Sequence, residues 1–278
     1  LSSAASVRQE GGPAHDVVFV VSTNRLLADM TYGGRPQAGY LVDALNSAIA
    51  RLMAENDDAA ASTRVGVVGY DSQVATLMPL DTYEPDADGR YLAYENGALE
   101  VTATAASGAQ TASAPLGDGS YLQRAVSIAG SALVDAADDP GSDGRLPVLC
   151  VMGRSIPPMA SVDYANPPAY DGDPTGYLGP LPGSRENGYG TDALLATMLT
   201  MRDAVSRVNA AWGADRELTF FSTGLDTSDA AAYLLETAHE QEHHPLVTSG
   251  INLNDNLAAA ARAFEEASAR GEKDVTLS

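Results

Sequence analysis

The stretch HDVVFVVSTNRLL, residues 15–27, decides the fold of this 278-residue chain. It contains five consecutive apolar residues, VVFVV at positions 17–21, and continues into a polar loop from Ser22 onward. A short and nearly continuous apolar run is typical of a parallel strand that is covered on both faces. The stretch therefore predicts a buried strand followed by a polar loop.

Apolar runs and amphipathic segments alternate along the rest of the chain. The apolar runs predict further strands at residues 64–70, 73–80, 146–152 and 217–223. The spacing of apolar residues predicts helices at residues 38–55, 117–137 (opening with a turn), 191–212, a segment capped by Ser228, and 256–270. This alternation predicts an α/β fold, with a doubly wound, mostly parallel sheet flanked by helices.

Insertions decorate the predicted single domain, which spans residues 1–278. Residues 1–14 are an expected N-terminal extension, and residues 81–116 an expected hairpin insertion, because Asn96-Gly97 lies between two alternating runs. Residues 154–190 lack periodicity and are rich in Pro and Gly, which predicts a long ordered loop. Its tyrosines either form a binding surface or pack the loop against the protein, and both interpretations stay open. These tyrosines include Tyr164, Tyr170 and Tyr177.

The charge balance limits the classes of partner. The chain has 37 acidic and 16 basic residues, a formal net charge of −21. Nucleic-acid affinity depends on Lys and Arg that neutralise phosphates, so a nucleic-acid partner is not expected. No run approaches the roughly 18 apolar residues of a membrane span, so no membrane insertion is expected within this segment. The single cysteine, Cys150, lies in an apolar run and is expected to be a buried strand thiol.

Four local strings occur in an order that resembles the von Willebrand factor type A domain. They are DVVFVV (16–21), RVGVVGYDSQVATLMPL (64–80), LGDGSYLQRA (116–125) and LPVLCVMGRSIP (146–157). The resemblance covers most of the chain. The Pro/Gly/Tyr insertion and the Asn-Gly hairpin are similar to the variety of this domain found in Gram-positive pilus tips and adhesins. The resemblance implies an α/β fold, similar to a Rossmann fold, with a ligand site at the carboxyl ends of the parallel strands.

In that family the site holds Mg²⁺ or Mn²⁺ through hydroxyl and carboxylate oxygens. The resemblance places the family's ligand positions on residues that include no carboxylate: Ser22, Asn24, Leu26, Ser120 and Gly153. A strongly hydrated cation gains little from neutral oxygens, so a degenerate site without a metal is expected. Asp29, Asp71 and Asp118 keep Mg²⁺ binding open as the alternative.

Two arginines flank these positions. Arg25 lies in the first loop, and Arg154 follows Gly153. A guanidinium group can bind a carboxylate without a cation, which makes both arginines candidate ligand contacts. Tyr164, Tyr170 and Tyr177 of the predicted long loop are further candidates. In the alternative interpretation, both arginines are solvated or paired with a local aspartate.

The sequence HEQEH at residues 239–243 matches the H-E-x-x-H pattern of zinc hydrolases, in which two histidines on one helical face bind zinc. Here His239 and His243 would be the ligands, and Glu240 would activate water. Glu242 adds a charge between the histidines, and Pro245 ends the helix soon after them. Catalysis is therefore not expected, and a zinc-dependent hydrolase stays as an alternative.

The sequence predicts a non-catalytic binding or adhesion module of a bacterial cell-surface or pilus-like protein, without a functional metal or other cofactor. Its expected partner is a host or bacterial surface protein or glycan. It is expected to be extracellular and part of a larger surface protein. A structural module whose ligand site has decayed is the remaining alternative.

Overall fold

The first apolar run forms a long strand at the centre of a sheet in the structure, a computed structural model. The structure describes residues 14–29, 31–32, 34–54, 62–119, 121–153, 191–224 and 246–249. The strands are β1 (Ala14–Ser22), β2 (Thr31–Tyr32), β3 (Arg35–Pro36), β4 (Arg64–Tyr70), β5 (Val74–Asp81), β6 (Tyr83–Glu84), β7 (Leu92–Glu95), β8 (Ala98–Val101), β9 (Thr104–Ala105), β10 (Ala114–Pro115), β11 (Arg145–Gly153), β12 (Thr219–Gly224) and β13 (Leu246–Ser249). The helices are α1 (Leu26–Asp29), α2 (Gln37–Ala54), α3 (Leu122–Ala137) and α4 (Thr191–Trp212).

Six strands form the main sheet, in the order β13-β12-β11-β1-β4-β5. All neighbouring strands run parallel except β4 and β5, which are antiparallel. The chain places β4 and β5 on one side of β1 and then returns to build β11, β12 and β13 on the other side. The order therefore reverses next to β1, and in open α/β sheets such a switch point is where ligands bind. The predicted α/β fold class, doubly wound and mostly parallel, is confirmed.

Strand β1 is buried over its whole length because helices cover both faces of the sheet. Alternate side chains point to opposite faces of a strand. Val17, Phe19 and Val21 contribute to a core that includes α2, whereas Val18 and Val20 contribute to a core with α3 and α4. Among the described residues, no helix combines the length and the apolar character needed to cross a lipid bilayer.

The predicted elements agree with the structure in most places. Strand β4 and helix α4 have the predicted bounds, and α2, β5, β11 and β12 differ from the prediction by one or two residues at either end. The sequence did not predict β13, a strand of four residues that pairs with β12. The helix capped by Ser228 and the helix at 256–270 lie outside the described residues, as do residues 1–13 of the predicted extension and the loop at 154–190.

The Asn-Gly pair forms the predicted hairpin between β7 and β8. Both turn residues have positive φ angles, 53° at Asn96 and 76° at Gly97, as a two-residue type I′ turn requires. Strand β10 joins this hairpin in a three-stranded sheet, and the amide of Leu116 donates to the carbonyl of Gly97 at 2.9 Å. The alanine-rich stretch after the hairpin is not wholly on the surface, since Ala103, Ala105 and Ala114 are buried.

The hairpin sheet packs on α2 through one polar side chain. The Asn46 amide nitrogen donates to the carbonyl of Leu92 at 2.9 Å, and its oxygen accepts from the amides of Tyr91 and Leu92. These bonds satisfy backbone groups at the edge of β7 that would otherwise attract another strand. Leu92 and Leu99 are buried beneath. The region at 81–116 therefore shares the core on the α2 face of the main sheet.

A buried ion pair ties three parallel strands together at their amino ends. The Asp16 carboxylate is fully buried and accepts two hydrogen bonds from Arg64, at 2.8 and 2.7 Å. Arg145 of β11 lies 3.7 Å from the same carboxylate, and Arg64 also binds Asp139 at 2.6 Å. The hydrogen bond with Asp16 is the largest cause of the raised pKa of Arg64, which stays charged.

We expect Asp16→Asn to destabilise the protein by about 3–5 kcal/mol, because the variant removes the buried carboxylate that the partly buried guanidinium groups of Arg64 and Arg145 surround. Trp212, the only tryptophan, is buried and reports unfolding in urea by its fluorescence. Asp88→Asn is the matched control, since Asp88 pairs with Arg90 at an exposed position. Equal effects of the two substitutions would contradict a structural role for the buried pair.

A second titratable group on β1, His15, predicts that the stability of the protein depends on pH. His15 is 3% exposed, and burial lowers its pKa from 6.5 to about 4. The unfolded chain therefore binds a proton in the range between these two values, while the folded protein does not. Stability that is present above pH 6.5 is lost as the pH falls towards 4, by up to about 3 kcal/mol from this group.

We expect His15→Gln to flatten the dependence of the unfolding free energy on pH between about 6.5 and 4. Carboxylates titrate in part of the same range in every variant. The control for the loss of histidine is the triple variant His239→Gln, His243→Gln and His244→Gln, which retains His15. Urea unfolding at a series of pH values measures both. A wild-type slope in the His15 variant would show that His15 is not the responsible group.

Candidate functional site

The candidate site consists of two loops and one strand end at the carboxyl edge of the sheet. The first loop, residues 22–26, runs from the last residue of β1 to the first residue of α1, and the second loop, residues 116–121, precedes α3. They meet in a parallel bridge between Asn24 and Gly117. Gly153 ends β11 beside β1, where it pairs with Gly224 of β12.

The structure describes four of the five predicted metal-ligand positions, namely Ser22, Asn24, Leu26 and Gly153. The fifth, Ser120, lies outside the described residues. Several other predicted residues also lie outside them: Arg154, Tyr164, Tyr170, Tyr177, His239, Glu240 and His243.

Ser22 is buried at the end of β1, and its hydroxyl is used within the protein. Its oxygen accepts a hydrogen bond from the amide of Asn24 at 3.4 Å, and its side chain is hydrogen-bonded to that of Tyr70. Burial raises the pKa of Tyr70, so its phenol stays neutral. Ser22 therefore supplies a neutral, internally bonded hydroxyl where the family has a carboxylate.

Both polar atoms of the Asn24 side chain have partners. Its amide nitrogen donates to the carbonyl of Gly119 in the second loop at 2.9 Å. Its oxygen accepts from the amide of Leu26 at 2.9 Å, an Asx turn that opens α1. The predicted carbonyl oxygen ligand is thus engaged inside the first loop. Leu26 has no ligating atom, and its side chain is 42% exposed.

Asp71 follows β4 and brings a buried carboxylate beneath the two loops. One oxygen accepts from the hydroxyl of Thr23 at 3.1 Å, and the other accepts from the amide of Gln73 at 2.5 Å. Gly117 lies directly against this carboxylate, because an added Cβ atom would be 2.7 Å from its Oδ2. The sequence suggested Asp71 only as an alternative metal ligand. An Asp that directly follows a strand was the available signal for the turn that it forms.

The arginine of the first loop has acidic partners on the surface. Arg25 Nη2 lies 2.8 Å from Asp118 Oδ1, and its Nε lies 4.0 Å from Asp29 Oδ2. The Arg25 side chain is 60% exposed and that of Asp118 is 75% exposed. The pairing is the one expected under the alternative interpretation of Arg25. A ligand carboxylate that used Arg25 would compete with Asp118.

The described groups of the site leave few charged oxygens that are not already engaged within the protein. A divalent cation needs several oxygen ligands, with carboxylates to offset its dehydration. Asp71 accepts internal hydrogen bonds, Asp29 and Asp118 lie near Arg25, and the side-chain oxygen of Asn24 accepts from Leu26. Within the described part of the chain, no group of three or more His, Cys, Asp or Glu residues is placed to hold a metal ion.

Comparisons with known proteins were made by sequence and by structure. No family model and no curated protein matches the sequence. Among solved structures, the PilB minor pilin from Streptococcus sanguinis superposes with a TM-score of 0.56 at 14% identity, over 96% of this chain and 63% of the pilin. The von Willebrand factor domain of the type V pili tip protein Mfa5 from Porphyromonas gingivalis gives 0.50 at 12% identity, over 92% and 96%.

The pilus adhesin SpaC from Lactobacillus rhamnosus GG is also similar, with a TM-score of 0.52 at 12% identity over 95% of this chain. The chain spans less than two thirds of the PilB structure and 31% of SpaC, but nearly all of the Mfa5 domain. At such identities the likeness shows the fold. The chain has the von Willebrand factor A fold that the local strings predicted.

The close fit between Gly117 and Asp71 predicts that substitutions at these two residues have non-additive effects on the free energy of unfolding. We expect Gly117→Ala to destabilise the protein by about 1–3 kcal/mol, because the new methyl group overlaps the carboxylate. In an Asp71→Ala background the methyl group has space, so the same substitution should cost less there. Urea unfolding of the wild type, both single variants and the double variant measures the coupling. Additive effects would contradict the direct contact.

Proposed function

We propose that this chain is a non-catalytic binding module of a bacterial cell-surface or pilus-like protein, and that it binds its partner without a metal ion. The observation that carries the proposal is the engagement of the site's polar groups with one another. Asn24, Asp71 and Arg25 each have a partner inside the two loops. A cation would have to break these contacts and would gain few charged oxygens in return.

The proposed role in adhesion is supported by the fold and by the kinds of protein whose structures are similar. The similar structures include a minor pilin, a pilus tip domain and a pilus adhesin. The chain matches nearly all of the Mfa5 domain but only part of PilB and SpaC. We infer that it is one module of a larger extracellular protein, and that its partner is a host or bacterial surface protein or glycan.

The contact surface that we propose begins where β11 ends. Arg154 follows Gly153, the last residue of β11, and the segment 154–190 is predicted from its sequence to be a long loop. Its tyrosines offer apolar area together with a hydroxyl at a small entropic cost, a combination that is common in binding surfaces. Arg154 supplies a cation for an acidic group of the partner. Tyr164, Tyr170 and Tyr177 are the proposed aromatic contacts.

The proposal excludes zinc hydrolysis by residues 239–243. The charged Glu242 and the proline at 245 argue against a zinc-binding helix of the usual kind. A preparation supplied with stoichiometric Zn²⁺ should therefore leave casein intact.

We expect the purified chain to bind a partner with the same affinity in EDTA and in millimolar Mg²⁺. The probes are immobilised extracellular-matrix proteins, arrayed glycans and whole bacterial cells, read by biolayer interferometry, by array fluorescence and by labelled-protein adherence. Because the proposed contacts do not include a cation, chelation removes nothing that they need. A requirement for Mg²⁺, or failure to bind any of the three kinds of surface, would contradict the proposal.

Two variants locate the binding surface in the same experiment. Deletion of residues 164–177 should abolish binding while leaving the unfolding midpoint close to that of the wild type, and Arg154→Ala should weaken binding. Arg90→Ala removes a partly exposed cation that pairs with Asp86 and Asp88, outside the proposed contact surface, and serves as the matched control. Wild-type affinity in the deletion variant would exclude the tyrosine-bearing loop.

A further inference from the structure

The first and second loops are joined directly to each other. The amide of Gly117 donates to the carbonyl of Thr23 at 3.0 Å, and the amide of Arg25 donates to the carbonyl of Gly117 at 2.8 Å. These two backbone bonds form a short parallel ladder in which Asn24 lies opposite Gly117. The ladder fixes the spacing of the loops.

Two side chains from the first loop reinforce this ladder. Asn24 donates to the carbonyl of Gly119, two residues beyond the bridge, and Arg25 reaches Asp118 between them. Asn24 is buried, so its hydrogen bond is shielded from water, whereas the pair of Arg25 and Asp118 is exposed and screened by salt. Asn24 is therefore the stronger of the two links.

The buried carboxylate of Asp71 supports both loops from below. It holds the first loop through the hydroxyl of Thr23, and its own backbone carbonyl accepts from the amide of Tyr121 at the end of the second loop. Gly117 can approach it only because glycine has no Cβ atom. Three separate parts of the chain thus meet at one residue.

We propose that Asn24 and Arg25, supported by Asp71, form a clasp that takes the place of a shared cation in joining the first and second loops. The clasp gives the candidate site one conformation, independent of ions in solution. A site assembled around a dissociable ion is occupied only in proportion to the ion's concentration, whereas bonds within the chain are present whenever the chain is folded. The inference rests on the metal-independent part of the proposed function and explains how such a site keeps its shape.

Hydrogen–deuterium exchange tests the clasp in the full chain, with peptides that cover residues 22–29 and 116–121. We expect wild-type exchange in both peptides to be the same in EDTA and in millimolar Mg²⁺. Asn24→Ser retains an oxygen that can accept from the amide of Leu26 but cannot reach Gly119. It should speed exchange in both loops by about tenfold, the change expected for one lost buried hydrogen bond.

Matched variants separate the clasp from a general loss of stability. Arg25→Ala should speed exchange in the same peptides by a smaller factor, since its ion pair is exposed. Arg90→Ala removes an arginine from another exposed acidic cluster and should leave both peptides unchanged. Trp212 fluorescence in urea shows whether each variant is folded, and a variant that unfolds is replaced by Asn24→Gln, which keeps the amide but displaces it by one methylene group.

The outcomes distinguish the clasp from the proposed function. Slower wild-type exchange in Mg²⁺ overturns the clasp, because an ion would then order the loops. Unchanged exchange in the folded Asn24 variant also overturns it, even if partner binding proves independent of metal. Protection that is lost in the Asn24 variant supports the clasp even if no partner is found among the surfaces tested.

Discussion

The structure depends on a strand that is buried on both faces. Burial of β1 supplies the apolar contacts of both cores, but it requires that the polar residues at both ends of the strand find partners inside the protein. At the amino end, Asp16 is matched by Arg64 and Arg145, which lie on the two strands that flank β1. At the carboxyl end, Ser22 and Asn24 are matched by Tyr70 and by the second loop. The same requirement thus organises a structural ion pair at one edge and the candidate site at the other.

The polar groups at the two edges of the sheet differ in their exposure to solvent. The carboxylate at the amino edge is fully buried and charged partners surround it, so its role is confined to stability. At the carboxyl edge the backbone and side chains of the two loops satisfy one another, while Leu26 and the pair of Arg25 and Asp118 remain in contact with solvent. The solvent-facing part of this edge therefore carries an apolar side chain and an ion pair whose charges offset each other.

Sequence reasoning predicted those parts of the fold that short-range patterns encode. The bounds of β4 and α4 follow from continuous periodicity, and the hairpin follows from the positive φ angles that Asn96-Gly97 accepts. Strand β13 was missed because only two of its four residues are apolar, and its pairing with β12 is not visible locally. The partners of Asp16 and Asn24 lie 48 and 95 residues away along the chain, so only the folded sheet brings them together. The absence of carboxylates at Ser22, Asn24 and Leu26 could be read from the sequence, but the contacts that these positions make could not.

The hairpin and the candidate site are separated by a single peptide unit. Leu116 donates its amide to Gly97 at the hairpin turn, and the next residue, Gly117, is held against Asp71 between the two loops. Asn46 anchors the other end of the hairpin sheet to helix α2. A pulling force applied to the hairpin would therefore be divided between a helix of the core and the second loop. The hairpin sheet therefore has two attachments of different kinds, one to a helix of the core and one to a loop of the candidate site.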